Sequence, residues 1–379
     1  MSSYATDFGP FDGRIWLNAA SIGPLPKVAV KAAREAIERN IAPHRLPIEL
    51  YREVPSRLKR ALGLLIGVNR WEIIIGNSTS YGLHLLANGI PFKSGDEILL
   101  VKGDFPASIL PWLALRKQGV TVREIQPKGP ALQAEDVAEH ISNKTKLLCA
   151  TWVDSFTGYA LDEQEIGKLC REHDVWFVLN GTQGIGARHI DVANTPVDAI
   201  ASTGAKWLLG PHGTGFCWIK PELLNILEYN QCYWPVHHGD RDLDQMRDYR
   251  LREDLGAAAY DVFSTANHFN NVPWTACIEY LNETGIPRIQ KHNDRLVERL
   301  IRGLDPDQFI LESPRSGPAR TAIVVVSHRD PTRTRDLFDL LTSEGIDISL
   351  REGNLRISPH LYNTPEDIDR LLSVLMCNV

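Results

Sequence analysis

The sequence predicts an α/β protein with a mostly parallel sheet, followed by a smaller C-terminal α+β domain. Two observations carry this expectation. From about residue 31 to 200, amphipathic helical segments alternate with short apolar runs, the pattern made when crossover helices cover both faces of a parallel sheet. Runs such as Trp176-Phe177-Val178-Leu179 lack apolar/polar alternation, as a strand buried on both faces requires. Strands are expected over 97–102, 120–125, 146–153, 175–180 and 214–219, with helices at 107–118 and 162–173 between them. Residues that follow such strands sit at the carboxyl edge of the sheet, where open α/β sheets bind ligands.

Residues 231–261 are aromatic and charged with little periodicity, which predicts a long irregular excursion of the functional kind. One long helical pattern then covers 273–304. Beyond it, strands are expected over 321–327, 346–350 and 355–358, and helices over 332–344 and 364–375. The division expected is a large domain of residues 21–272 and a small one made of 1–20 and 273–379.

Composition excludes several functions. Forty-one Lys and Arg against 47 Asp and Glu give a net charge of −6, with no long basic run to neutralise phosphates, so no nucleic-acid partner is expected. At 43% hydrophobic residues the chain can bury sizeable cores and is not disordered. Cys149, Cys170, Cys217, Cys232, Cys277 and Cys377 lie far apart without metal or redox spacing and read as reduced core residues of a cytoplasmic protein. No stretch approaches eighteen apolar residues and the start has no leader pattern, so a soluble, unprocessed chain without membrane contact is expected.

The most informative stretch is 175–224. A buried strand ends in Asn180-Gly181-Thr182-Gln183, and Lys206 follows 26 residues after Asn180, flanked by Ala205, Trp207, Leu208 and Leu209. A lysine in such company loses hydration, which lowers its pKa and favours the neutral amine that attacks carbonyls. Local composition alone favours the other reading, a lysine that snorkels to water. Ser78, Thr79 and Ser80 in Asn77-Ser78-Thr79-Ser80-Tyr81-Gly82 read as a helix cap, and also as donors for an anion at a helix N-terminus. His237-His238 with Asp240 and Asp242 is a weak metal pattern and no metal is expected. Gly210–Gly215 lacks the Lys-Ser/Thr ending of a phosphate loop, there is no Gly-x-Ser-x-Gly elbow, and Asp96 and Asp104 give no carboxylate-pair signal.

These motifs together resemble the class V aminotransferase family of fold type I pyridoxal-phosphate enzymes, which includes cysteine desulfurases, kynureninases and isopenicillin N epimerase. The resemblance runs from about Leu17 to Leu375. It rests on Asn180-Gly181-Thr182-Gln183, on Lys206, and on Gly210-Pro211-His212-Gly213-Thr214-Gly215 in that order and spacing. Lys206-Trp207-Leu208 and Leu355-Arg356-Ile357-Ser358-Pro359-His360 are closest in flavour to the isopenicillin-N-epimerase-like group. The resemblance implies a fold type I transferase with a seven-stranded sheet, pyridoxal 5'-phosphate as cofactor, an amino-acid-type substrate, and a homodimer with shared active sites.

Carried over residue by residue, the resemblance makes Lys206 the Schiff-base lysine and proton shuttle. Ser78, Thr79, Ser80 and Thr203 would hold the phosphate, Gln183 the phenolic oxygen, Asn180 the ring nitrogen, and Phe105 the ring face. Thr265 would reach the neighbouring subunit's cofactor phosphate. Arg356 would take the substrate carboxylate with its planar fork, Asn18 and Ser155 would line the same pocket, and Arg351 would meet a second anionic group.

Two departures bear on the reaction. Asn180 replaces the family's acidic partner of the ring nitrogen. An opposite charge about 4 Å away at an effective dielectric of about 20 is worth roughly 4 kcal/mol, so its loss favours the neutral pyridine and weakens the electron sink. Residues 348–355 contain Ser349 and no cysteine to accept sulfur, which disfavours persulfide chemistry. The expected activity is therefore β-elimination of the C–S lyase type on a cysteine conjugate. The alternatives are an aminotransferase, an epimerase, or a catalytically silent scaffold, because Ala205 also departs from the pattern.

Overall fold

The computed structural model describes residues 4–377 apart from 229, 240, 242, 243, 245 and 248. A two-residue strand β1 (Ile15–Trp16) leads into helices α1 (Lys27–Ile41) and α2 (Leu50–Ile66). Strands and helices then alternate through β2 (Ile73–Gly76), α3 (Thr79–Gly89), β3 (Glu97–Val101), α4 (Pro106–Leu113) and β4 (Thr121–Ile125). They continue through α5 (Ala134–Ala138), β5 (Thr145–Thr151), α6 (Glu163–Glu172), β6 (Trp176–Asn180), β7 (Ala199–Thr203) and β8 (Gly215–Ile219). Two short helices, α7 (Pro221–Leu224) and α8 (Trp234–His238), precede α9 (His268–Thr284) and α10 (Ile286–Gly303). The last part comprises β9 (Phe309–Leu311), β10 (Val324–His328), α11 (Pro331–Ser343), β11 (Ile346–Asp347), β12 (Ser349–Arg351), β13 (Asn354–Ile357) and α12 (Pro365–Cys377).

Seven strands form one sheet in the order β2-β8-β7-β6-β5-β3-β4, in which only β8 runs against its neighbours. Successive side chains of a strand point to opposite faces, and both faces here are covered. Leu148, Ala150, Phe177 and Leu179 join the core beneath α2 and α9, while Leu147, Cys149 and Val178 join the one beneath α3 and α4. This explains the unbroken apolar runs in the sequence.

Two strands of the sheet, β2 and β7, carried too little pattern to be expected. Strand β7 is rich in small residues because α3 lies close against it. A Cβ at Gly82 would come within 3.0 Å of the Ala201 Cβ and 2.8 Å of the Cys217 Cβ. The long helix expected over 273–304 is two helices, since Gly285 adopts a positive φ of 83° and ends α9. The strand expected over 346–350 is also two. β11 pairs in parallel with β1, whereas β12 turns to pair with β13 in a four-stranded sheet of order β12-β13-β10-β9. Helices α11 and α12 lie within two residues of expectation. Cys232 and Cys377 are exposed rather than in the core, while the other four cysteines are buried.

The boundary expected between residues 272 and 273 falls inside α9. Its side chains Trp274, Cys277, Ile278 and Leu281 pack in one core with residues of the large sheet and with Ala322, Ile323 and Val325 of the C-terminal part, and we propose a division near Gly285, between α9 and α10. The early residues divide between the two cores: Leu17 packs with Leu296, Val324 and Ile357, whereas Phe8, Ala19 and Ala20 pack in the core of the large sheet.

The free edge of β2 is closed by a buried ion pair. Asp261 accepts from the Ile75 amide at 2.8 Å and meets Lys59 Nζ of α2 at 2.7 Å, with both side chains under 10% exposed. Burial raises the Asp261 pKa, and Lys59 opposes that shift. Lys59→Met would strand the carboxylate and is expected to destabilise the protein by about 3–5 kcal/mol, read as a lower urea midpoint. Lys59→Met with Asp261→Leu should recover most of that loss.

Candidate active site

Strands β5, β6 and β7 run in parallel and end at one edge of the sheet, so the turns after them converge there. Asn180 is the last residue of β6, and Lys206 lies three residues beyond the end of β7. The Lys206 turn is held from outside the sheet as well as by it. Gly23 N–H donates to Ala205 O at 2.9 Å, and a Cβ at Gly23 would fall 2.0 Å from Lys206 O, so only glycine lets the N-terminal segment lie there. His360 Nε2 lies 3.1 Å from Trp207 O. Burial pushes His360 down to about 4, so its neutral ring donates this bond. Leu209 takes a left-handed φ of 56° to close the turn.

The Lys206 ammonium has no carboxylate partner among the described residues. Its Nζ lies 5.4 Å from the centre of the Phe105 ring, and Phe105 in turn stacks on Phe156 at 6.3 Å. Burial first, then the like charges of Arg356 and Arg351, lower its pKa from 10.5 to about 8. Arg356, buried on β13, donates through Nη1 to Ser155 Oγ at 2.8 Å and through Nη2 to Ser21 Oγ at 2.8 Å, while its Nε has no partner. Burial and Arg351 lower it to about 10. A buried cation left without a counter-ion is costly. The donor set therefore suits an anion brought in from outside.

Asn18 is tied beneath this group, its Oδ1 accepting from Ser349 Oγ at 2.7 Å, and Ser349 also touches Ser21 Oγ at 2.9 Å. Arg351 is exposed at the end of β12 and donates to Leu350 O. It acts on the pocket through charge rather than contact. Gln183 donates from Nε2 to Ala20 O at 3.0 Å and to Ser155 Oγ at 3.4 Å, and accepts from Trp207 Nε1 at 2.7 Å. Asn180 Oδ1 accepts from Thr182 N–H at 3.1 Å while its Nδ2 donates to Ser108 Oγ at 2.9 Å.

At the start of α3, Ser78 Oγ caps the helix by accepting from Tyr81 N–H at 3.2 Å, and Thr79 Oγ1 meets Thr182 Oγ1 at 2.5 Å. Thr79 and Ser80 thus place first-turn N–H groups beside the end of β6, at the positive end of the helix. Gly215 makes that approach possible, because a Cβ there would lie 2.6 Å from Ser78 N. Thr203, paired with Gly215 across β7 and β8, directs its hydroxyl to Thr214 O at 3.2 Å. Thr265 lies apart near the start of α9, where its carbonyl accepts from Asn271 Nδ2. Among the described residues no hydrogen bond joins it to the Lys206 pocket.

Sequence reasoning thus named most of the residues that the strand ends gather, but it missed Ser21, Ser108, Thr151 and the Trp207–Gln183 bond. Ser108 lies one helical turn after Phe105, a spacing that could have marked it. His237 and His238 line an outlying groove with Trp234 and Arg241, and Asp240 and Asp242 lie outside the described residues.

A family model, Aminotransferase class-V, matches residues 16–371. A probable cysteine desulfurase of Methanothermobacter thermautotrophicus is 28% identical over 94% of this chain and 92% of that protein. The isopenicillin N epimerase of Streptomyces clavuligerus is 27% identical over 95% of this chain and 93% of its own length. Among solved structures, the apo cysteine desulfurase of Thermococcus onnurineus superposes with a TM-score of 0.86 at 22% identity, covering 99% of this chain and 98% of that one. The cystine C–S lyase C-DES, in complex with cysteine persulfide, gives 0.85 at 22% identity, over 96% of this chain and 97% of its own. These structures establish fold type I. With a family match that spans all but the ends, the chain belongs to the class V aminotransferase family, whose enzymes depend on pyridoxal 5'-phosphate.

Proposed function

We propose that this protein is a pyridoxal-phosphate-dependent C–S lyase that eliminates the β-substituent of a cysteine conjugate. The observation that carries the reading is the pairing of a buried Arg356, without an anionic partner among the described residues, with a lysine beside the end of β6 whose pKa is lowered to about 8. Together they suit a substrate carboxylate and an aldehyde cofactor.

Lys206 would hold the cofactor covalently, with Thr79, Ser80 and Thr203 at its phosphate, Phe105 over one ring face and Asn180 at the ring nitrogen. Gln183 would turn its longer Nε2 bond, the one to Ser155, towards the phenolic oxygen. When bound, pyridoxal phosphate supplies an aldehyde that condenses with amines and a ring that delocalises charge released at Cα. Arg356 anchors the substrate carboxylate bidentately, which orients Cα–H towards Lys206. The neutral Lys206 amine then removes the α-proton. The Cα–H electron pair becomes a Cα–Cβ double bond, the Cβ–S pair leaves with sulfur, and hydrolysis of the product gives pyruvate and ammonia. Expelling the sulfur as the proton departs stores less charge in the ring than transamination does, in keeping with an amide at position 180. The lack of cysteine in residues 348–355 supports release of the sulfur as a free thiol. In the family's pattern Thr265 would serve a neighbouring subunit, which supports a homodimer.

The likeness to isopenicillin N epimerase supports a second reading, epimerisation through the same proton removal. With S-substituted cysteines in deuterated water, pyruvate and free thiol are expected by mass spectrometry. Deuterium at Cα with the substrate otherwise intact would instead favour epimerisation, and pyridoxamine phosphate with a keto acid would favour transamination. A protein that shows no borohydride-sensitive visible band after mixing with the cofactor would be a scaffold.

Lys206→Ala should lower turnover by roughly 10²–10⁴-fold, the usual weight of a general base. Arg356→Ala should raise KM by about 10- to 100-fold, the loss of a charged hydrogen-bonded contact. In the cofactor-free protein, uptake of pyridoxal phosphate at Lys206 should rise with pH through about 8 as the amine loses its proton, whereas an ordinary lysine would remain protonated until about 10.5. Arg356→Gln removes a like charge and should move that midpoint upward.

A further inference from the structure

A chain of hydrogen bonds joins Asn180 to a carboxylate on a different loop. Asn180 Nδ2 donates to Ser108 Oγ at 2.9 Å, Ser108 Oγ meets Thr151 Oγ1 at 3.1 Å, and Thr151 Oγ1 donates to Asp104 Oδ1. Asn180, Ser108 and Thr151 are all at least 90% buried. Asp104 also accepts from the Thr151 and Phe105 amides, at 2.9 and 2.5 Å. Backbone N–H groups can only donate, so both carboxylate oxygens serve as acceptors.

The orientation of the Asn180 amide follows from the same rule. Thr182 N–H lies 3.1 Å from one terminal atom of the side chain, and only the carbonyl oxygen can accept there. The –NH2 group must therefore face Ser108. With the Asp104 carboxylate as final acceptor, Thr151 O–H fills the last gap, Ser108 O–H the middle one and an Asn180 N–H the first. Three gaps hold three protons. An ionised aspartate at position 180 would leave two hydroxyl protons for the three gaps, and two oxygen lone pairs would confront each other inside a buried chain. The surroundings of position 180 are thus built for an amide, and its second N–H is left for a ligand.

We propose that Asp104 is a positioning residue: through Thr151 and Ser108 it holds Asn180 with an N–H presented to the cofactor's ring nitrogen, which the site thereby takes as an unprotonated acceptor. This rests on the proposed placement of pyridoxal phosphate with its ring nitrogen at Asn180. Asp104 itself is raised to about 6, mainly by burial, with Asp154 adding a like charge and the Thr151 and Phe105 bonds opposing the shift. At neutral pH it remains largely the acceptor that this proton order needs.

The test is the ¹⁵N chemical shift of ring-labelled pyridoxal phosphate bound to the protein, with the cofactor dissociation constant measured alongside. The wild type should give the shift of an unprotonated, hydrogen-bonded pyridine. Ser108→Ala and Asp104→Asn should each displace that signal and weaken cofactor binding by about fivefold, the weight of one hydrogen bond. A pyridinium shift in the wild type would overturn the inference whether or not the variants fold. So would folded variants that both keep the wild-type shift and affinity. Failure of the wild type to take up pyridoxal phosphate would overturn the proposed function itself, and the relay's role with it.

Discussion

Two cationic side chains are kept in one pocket with no carboxylate between them among the described residues, and much of the architecture around them maintains that condition. Lys206 sits on a turn pinned between the sheet edge, the Gly23 segment and His360. Arg356 is held by serine hydroxyls and a carbonyl, which satisfy donors without neutralising charge. Had an aspartate taken the place of Ser155 or Ser21, the guanidinium would be paired internally and closed to a substrate anion. The lysine would lose part of the repulsion that lowers its pKa.

This arrangement needs both regions of the chain. Arg356, Ser349 and His360 come from the C-terminal part, Lys206, Asn180 and Ser155 from the large sheet, and Asn18, Ser21 and Gly23 from the N-terminal segment threaded between them. Strand β1 pairs with β11, and Asn18 bridges to Ser358. Residues 18–23 are therefore part of the pocket wall. Burial of Leu17, Ala19 and Ala20 leaves little room for that wall to shift.

The second organising feature is polar. Thr151 ends β5, Asn180 ends β6 and Ser108 faces them from α4, so the two hydroxyls and the amide meet on one side of the strand ends. Buried polar groups persist when every donor has an acceptor, and here the account closes only if the residue at 180 is an amide. What reads in the sequence as a lost carboxylate is, in the fold, one that stands farther away at Asp104.

The sequence by itself determined the α/β class, the strands that carry bulky apolar runs, and the residues placed at strand ends, because burial on both faces and fixed spacing leave a mark along the chain. Lys206, Asn180, Gln183 and Arg356 were legible through the resemblance to the class V aminotransferase family, whose motifs stand here in the same order and spacing. Strand β7 was not, since its small residues answer to the close approach of α3 rather than to any local pattern. Nor was the break at Gly285, where backbone conformation decides and composition is silent. Only the tertiary structure decided the serine cradle of Arg356 and the path from Asn180 to Asp104. Those contacts join residues from 43 to 335 positions apart, and hydrogen-bond direction is set by neighbours in space, which no single stretch of sequence contains.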